Sequence, residues 1–247
     1  MPTQVDAVIL CGGAGLRLRS VTGIAPKSLA RIGERPFLEI LVTQLARHGF
    51  QRVILAVGYQ REMIRAHFGD RVLGLSVEYA IESAPLGTGG ALRNAVGLIE
   101  SGTALVMNGD SYTDADLVAF AADFRDSEAD ISMLVTPADG RVDCGLVSIS
   151  HSGCIIGFRE KQATHGELHV NAGIYMAAKA LLSGITPRVP VSLESELFPQ
   201  WLEQGRRFRA YRHSGRCIDI GTPERYQNAQ HILAGAEMCT SLAETLK

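Results

Sequence analysis

No C-x-x-C pair occurs anywhere in this sequence. Its five cysteines (Cys11, Cys144, Cys154, Cys217 and Cys239) are dispersed and odd in number. That usage argues against a disulfide frame and a thiolate zinc site, and predicts reduced thiols in a cytoplasmic protein. No run approaches the roughly 18 apolar residues that a membrane-spanning helix needs. The amino-terminal MPTQVDAVIL lacks the basic region of a secretory signal, and its apolar run is too short for one. Neither acidic nor basic residues dominate. Lys+Arg number 24 against 26 Asp+Glu, a net of -2, so neither nucleic acid nor a membrane is expected as a partner. No internal repeat, low-complexity tract or Pro/Gly/Ser-rich linker interrupts the chain. A single domain over residues 1–247 is expected, with one half at about 1–110 and a second at about 111–235.

What is present alternates. Apolar runs and helical periodicity predict a strand over 5–11, a helix over 36–48, a strand over 53–57 and a helix over 60–68. A strand over 75–81, a helix over 88–99 and a strand over 104–107 follow. Strand–helix alternation implies a parallel sheet with helices on both faces, and ligands at its carboxyl edge. After a helix over 117–124, strand-like runs cluster at 131–136, 145–149, 155–160 and 171–176, with a hairpin-like turn at His151-Ser152-Gly153. Helical patterns return over 193–203 and after Thr222-Pro223-Glu224, where Thr222 suits an N-cap.

Residues 8–29, VILCGGAGLRLRSVTGIAPKSL, run from a buried strand into glycines and then carry Arg17, Arg19 and Lys27 through a stretch with little helical character. Glycines let backbone N–H groups approach a phosphate. The P-loop spacing is absent, and Leu18 stands where a dinucleotide fingerprint needs its third glycine. Two arginines and a lysine suit a triphosphate, above all where charge develops as a phosphate leaves. No Ser/His/Asp set has recognised spacing. His165 and His169 stand four apart without a zinc protease's glutamate, and are assigned with the other histidines to surface or packing. Cys11 reads as a small buried residue rather than a reactive thiol.

Gly12-Gly13-Ala14-Gly15-Leu16-Arg17-Leu18 followed by Pro26-Lys27 resembles the signature G-G-x-G-T-R-L…P-K-P of sugar-1-phosphate nucleotidyltransferases. Leu16 replaces its threonine, removing a hydroxyl within reach of a phosphate, and Ser28 replaces its second proline. The resemblance extends to about residue 230. ESAPLGTGGAL from Glu82 is similar to the base-binding loop, and Asn108-Gly109-Asp110 to the metal-binding turn. CGLV from Cys144, FREK from Phe158 and NAGIY from Asn171 resemble the sugar-phosphate site, and IDIGTP from Ile218 the segment with the second metal carboxylate. The motifs most resemble those of D-glycero-D-manno-heptose 1-phosphate guanylyltransferases, with mannose-1-phosphate guanylyltransferases close behind. A chain ending at 247 is expected to lack the extra carboxyl-terminal domains of some relatives.

The resemblance implies a Rossmann-like three-layer αβα nucleotidyltransferase fold with a mixed central sheet. It also implies an enzyme that transfers a nucleotidyl group from GTP to the heptose 1-phosphate. The products would be GDP-heptose, for cell-surface polysaccharide, and pyrophosphate. Alternatives are mannose 1-phosphate or another sugar 1-phosphate, UTP, dTTP or CTP as donor, or a nucleotide-sugar-binding regulatory protein without turnover. A homo-oligomer is compatible with the sequence. The nucleotide is expected at Leu10, Cys11, Gly12, Gly13 and Gly15, with Arg17 and Lys27 on its phosphates. Glu82, Pro85, Gly87, Thr88, Asn108, Gly109 and Asp110 complete that site. Glu82 is the base-reading candidate, since a carboxylate accepts from guanine's N1–H and 2-amino group; it reads equally well as a solvated loop acid. Asp110 and Asp219, each just past an apolar run, suit Mg²⁺, which takes one or two carboxylates plus phosphate and water. Alone, each reads as a turn or cap aspartate; as a pair they are better explained by metal. The sugar phosphate is expected at Gly145, Glu160, Lys161, Asn171 and Asp219. Arg17, Lys27, Asp110, Lys161 and Asp219 form the catalytic set.

Overall fold

The computed structural model describes residues 4–138, 145–159 and 169–235. Strands run in chain order β1 (Asp6–Leu10), β2 (Arg31–Ile32), β3 (Arg35–Pro36), β4 (Arg52–Val57), β5 (Arg71–Val72), β6 (Leu75–Ile81) and β7 (Thr103–Asn108). They continue as β8 (Ser111–Thr113), β9 (Ile131–Pro137), β10 (Leu146–Ile149), β11 (Ile155–Arg159), β12 (His169–Ala178), β13 (Phe208–Arg212) and β14 (Cys217–Asp219). The α-helices are α1 (Arg19–Thr22), α2 (Phe37–Arg47), α3 (Arg61–Phe68), α4 (Gly87–Ala95), α5 (Leu117–Arg125), α6 (Lys179–Ser183), α7 (Phe198–Glu203) and α8 (Pro223–Gly235).

β1 shows why the sheet is buried on both faces. Ala7 and Ile9 pack into one core, with residues of α2, α3, α5 and α8. Val8, pointing the other way, packs into a second core with α4, α6 and α7. An apolar residue at every position from Ala7 to Leu10 is what a parallel strand between two helical layers requires. β1 pairs in parallel with β4, Ala7 opposite Val53, and with β7, Asp6 opposite Ala104. β4 pairs in parallel with β6. β12 then joins β7 antiparallel and carries β9 and β10 along its length, which makes the sheet mixed. The fold is the Rossmann-like αβα arrangement. Phe198 centres the second core, its ring 5.0 Å from Tyr175, 5.6 Å from Phe158 and 5.7 Å from Phe208.

The two edges of the parallel strands differ in chemistry. At the amino edge Arg52 is tied to Asp6 at 3.2 Å, to Glu100 at 3.1 Å and to Glu78. At the carboxyl edge β1, β4, β6 and β7 run into the glycine loop, Gly58, the loop from Glu82 and Gly109-Asp110. Among the described residues no helix is long and apolar enough to cross a membrane.

Some elements depart from their predicted form. The stretch after Gly15 holds a 3₁₀ turn at Leu16–Leu18, helix α1 and a second 3₁₀ turn at Lys27–Leu29. Fully buried Leu18, whose N–H bonds Gly15 O at 2.9 Å, anchors that winding. The helix predicted over 88–99 ends at Ala95 and tightens to a 3₁₀ turn, Val96–Leu98, where valine and glycine weaken it. Pro36 precedes its helix as N-cap instead of opening it. The pattern over 193–203 starts as a π-turn, Leu193–Leu197, capped by Ser192. β8, β13 and β14 were not marked by periodicity: β8 and β14 are three-residue strands, and arginines interrupt β13. Cys11, Cys154 and Cys217 are free thiols, while Cys144 and Cys239 lie outside the described residues, as does His165. His169 is a buried residue of β12.

Candidate functional site

Two cavities open at the carboxyl edge. The first, about 720 Å³, is lined by Leu10, Cys11, Gly12, Gly13 and Gly15 from the end of β1. Glu82, Pro85, Gly87 and Thr88 line another side, and Asn108, Gly109, Asp110 and Lys27 its floor. The second, about 590 Å³, is lined by Arg17, Gly145, Asn171 and Asp219. Gly15, Lys27, Asn108 and Asp110 line both, so the two cavities meet along that seam. Of the predicted nucleotide residues, Arg17 is the one that lines the second cavity instead, exposed on its 3₁₀ turn. Glu160 and Lys161 lie outside the described residues.

The seam is held by charge. Lys27 Nζ donates to Asp110 Oδ2 at 2.5 Å, and Ser111 Oγ to Asp110 Oδ1 at 3.2 Å. Gly15 has φ +58, and a Cβ there would meet Lys27 Cβ at 2.4 Å, so glycine lets the loop lie against the lysine. Asp219 ends β14, which pairs antiparallel with β8 so that Asp219 faces Ser111. That pairing brings Asp219 beside Asp110; Ile220 N–H also donates to Asp110 O at 3.0 Å. Asp219 Oδ1 accepts from Gly221 N–H at 2.8 Å and from Arg225 Nη1 at 3.0 Å. Sequence reading took Thr222-Pro223-Glu224 as a helix start, and Thr222 Oγ1 does accept from Arg225 N–H. It missed that Arg225 reaches back to the carboxylate.

The donor set fits Mg²⁺. Asp110 and Asp219 line one cavity, and the buried Asn108 Oδ1 has no hydrogen-bond partner. Among the described residues no group of three or more His, Cys, Asp and Glu is arranged for a metal. A carboxylate pair beside a phosphate site is what Mg²⁺ uses, since it keeps waters and substrate oxygens as ligands.

Glu82 is buried at 8% exposure, not solvated. Burial raises its carboxyl above the ordinary glutamate range, and the Leu86 N–H, donating to Oε2 at 3.0 Å, offsets part of that. Cys11 Sγ donates to Ala56 O at 3.2 Å, and burial pushes its thiol far up, so it is an inert wall of the first cavity. Asn171 is held on two sides: its Nδ2 donates to Tyr175 OH at 2.8 Å and its Oδ1 accepts from Gly173 N–H at 2.8 Å. One amide hydrogen and one lone pair remain for a ligand.

Sequence reading also missed Glu194, which lines the second cavity beside Asn108 and Asn171. Ser192 capping the following turn was the available signal, and it marks a helix start, not a carboxylate in a cavity.

Residues 6–235 match the nucleotidyl transferase family. The chain is 35% identical over 229 residues to D-glycero-alpha-D-manno-heptose 1-phosphate guanylyltransferase of Aneurinibacillus thermoaerophilus, covering 93% of this chain and 98% of that one. It is 38% identical over 224 residues to mannose-1-phosphate guanylyltransferase of Mycobacterium tuberculosis, covering 90% of this chain and 62% of the relative. The crystal structure of HddC from Yersinia pseudotuberculosis complexed with GMP-PN superposes with a TM-score of 0.79 at 32% identity, over 92% of this chain and 98% of that one.

Proposed function

The chain belongs to the nucleotidyl transferase family, and on that premise we propose that it transfers the guanylyl group of GTP to D-glycero-α-D-manno-heptose 1-phosphate, releasing pyrophosphate. One observation carries the reading: the two cavities share Gly15, Lys27, Asn108 and Asp110. A triphosphate in the first and a sugar phosphate in the second would meet at that seam. The heptose and guanine assignments rest on the relatives whose length the chain nearly spans.

An oxygen of the sugar phosphate attacks the α-phosphorus in line. The new P–O bond forms as the α–β bridge breaks, and its electron pair leaves with pyrophosphate. Two polyanions must approach, so cationic groups at the meeting point do most of the work. Lys27 lies there and donates to the α-phosphate as negative charge grows on it. Arg17, on the rim of the second cavity, neutralises the incoming sugar phosphate and the same developing charge. Asp110 and Asp219 would hold Mg²⁺, which supplies further charge neutralisation and a fixed template for phosphate oxygens. Asn171 offers its remaining amide groups to sugar hydroxyls, and Gly145 lets the ring approach the backbone. The resemblance assigns Lys161 to the sugar phosphate and Glu160 to sugar hydroxyls. Glu82, dry and acceptor-only when ionised, suits guanine's two donors.

Mannose 1-phosphate is the second reading, favoured by the 38% identity to the mycobacterial enzyme. A pyrophosphate-release screen settles the pair: GTP, ATP, UTP, dTTP and CTP, each with heptose 1-phosphate and mannose 1-phosphate in Mg²⁺. GTP with the heptose phosphate is expected to give the highest kcat/KM. A maximum with UTP or dTTP refutes guanylyl transfer, and a maximum with mannose 1-phosphate refutes the heptose assignment.

A further inference from the structure

Glu194 is the point at which the two cavities are tied together. Four donors converge on its carboxylate. Oε2 accepts from Thr88 Oγ1 at 2.7 Å and from Ser192 Oγ at 3.2 Å. Oε1 accepts from Asn108 Nδ2 and from Tyr175 OH, both at 3.4 Å. Thr88 lies in the first turn of α4 behind the loop that lines the nucleotide cavity, and Asn108 ends β7 on the seam. Tyr175 holds Asn171 in the sugar-phosphate cavity. The phenol is fully buried, and burial, with the Glu194 charge beside it, keeps it protonated and therefore a donor.

The backbone around Glu194 strengthens the tie. Val191 N–H donates to Leu86 O at 2.9 Å, and Val191 O accepts from Gly89 N–H at 2.9 Å. Leu193 N–H donates to Thr88 Oγ1 at 2.8 Å. The segment presses so closely that a Cβ on Gly87 would meet Val191 O at 2.6 Å, and one on Gly90 would meet Val189 O at 2.8 Å. The glycines of PLGTGG thus make room for this strap from the sugar-phosphate half. Thr88, which lines the nucleotide cavity, also ties its hydroxyl to the strap, donating to Glu194 and accepting from Leu193.

We propose that Glu194 is a positioning residue that joins the nucleotide loop to the sugar-phosphate strand, so that filling one cavity tightens binding in the other. Ordering the loop around a nucleotide orders the strap, Tyr175 and Asn171 with it, and the second ligand then meets a site already set. Reciprocity requires the same factor in either direction. The inference rests on the two-substrate reading above.

The test uses guanosine 5′-(α,β-methylene)triphosphate, whose α–β bridge the transfer reaction does not break. Its affinity is measured by calorimetry in Mg²⁺ with and without saturating heptose 1-phosphate. In the unaltered protein the sugar phosphate is expected to tighten the analogue about tenfold, within the usual range for coupled sites. Glu194→Gln has the same shape, but its amide turns donors toward a place where four donors already point. The tightening is expected to fall below about twofold, with the melting temperature within about 2 °C of the unaltered protein. Thr88→Val, which removes the hydroxyl's bonds to Glu194 and to Leu193 N–H while leaving the Glu194 side chain itself unaltered, is expected to lower the factor in the same sense. A merely structural role would lower the melting temperature and leave the factor alone. An unchanged factor in both variants, with normal GTP turnover, overturns this inference by itself. Absence of both analogue binding and GTP turnover in the unaltered protein overturns it together with the guanylyl reading.

Discussion

Replacing Asp110 by Asn separates stability from chemistry, because its ion pair is partly open to water while the proposed mechanism gives its charge a central part. The Asp110 side chain is 36% exposed and its partner Lys27 16%. An ion pair open to water on one side is worth about 1 kcal/mol or less. In a chain of this size that is about 2–4 °C of melting temperature. The backbone around Asp110 is untouched, since Ile220 N–H bonds the Asp110 carbonyl, not its side chain. Asn keeps the shape but loses the charge that balances Lys27 and would bind Mg²⁺. Losing one preorganised electrostatic group at a transferring centre costs about 10²–10³ in kcat, or about 2.7–4 kcal/mol. The assay is steady-state pyrophosphate release across a Mg²⁺ titration, paired with thermal melting. The expected outcome is a fall of at least about a hundredfold in kcat that saturating Mg²⁺ does not restore, with melting nearly unchanged. Turnover within about threefold of the unaltered protein at saturating Mg²⁺ refutes the metal assignment. A melting loss of about 10 °C or more refutes the separation of roles.

Arg17→Ala is expected to lower kcat more than it raises either KM, because the guanidinium meets charge that grows toward the transition state; steady-state kinetics in both substrates check this. Leu16 is 66% exposed at the rim of the sugar-phosphate cavity. Leu16→Thr is therefore expected to leave melting unchanged and to lower KM for the sugar phosphate, not for GTP. Phe198→Ala removes the fully buried ring at the centre of the second core. It is expected to cost about 3–5 kcal/mol, read as a lowered denaturation midpoint with unchanged slope. The raised carboxyl of Glu82 is charged above its folded-state pKa and is lost to protonation as pH falls through it. kcat/KM for GTP should therefore drop on the acid side at a higher pH than an ordinary glutamate would give, and Glu82→Gln should abolish that limb while narrowing the preference for GTP over ATP.

The parts of this site legible in the sequence are those set by local chain geometry. An all-apolar strand stopping at glycine, as at Leu10 to Gly12, places a loop at a sheet edge wherever the strand lies. Asp110 follows the same logic after β7. The parts that were not legible depend on distant chain. Glu194 has the sequence signature of a solvated acid in a first helical turn. Only the approach of Thr88, 106 residues away, and Asn108, 86 away, turns it into a junction. The glycines at 87, 89 and 90 were visible, but their cause was not. Read locally they serve a ligand; in the fold Gly87 lines the first cavity and is also pressed by the Val191 carbonyl, Gly90 by the Val189 carbonyl and Gly89 by the Leu197 side chain. Glu82 likewise allowed a solvated or a buried reading until β6 and the Leu86 turn enclosed it.

The charge arrangement at the seam explains how so nearly neutral a chain can suit two polyanions. Each proposed metal carboxylate already carries a cationic partner, Asp110 with Lys27 and Asp219 with Arg225. Neither pair is a finished structural bond in the manner of Arg52, which serves three carboxylates at the far edge of the sheet. A phosphate anion competes for the cation of such a pair, and a divalent cation competes for its carboxylate. When both arrive, each charge exchanges one partner for another and none is left unpaired. By this argument, binding of metal and nucleotide should reinforce one another at the seam. Neutralising Asp219 as Asn would remove a negative charge from the place where phosphate is proposed to sit while weakening the metal, so metal-free nucleotide affinity should rise as metal-dependent turnover falls. Calorimetric titration of GTP in chelator against the same titration in Mg²⁺ separates the two effects. A parallel loss of both in Asp219→Asn would refute this exchange of partners at the seam.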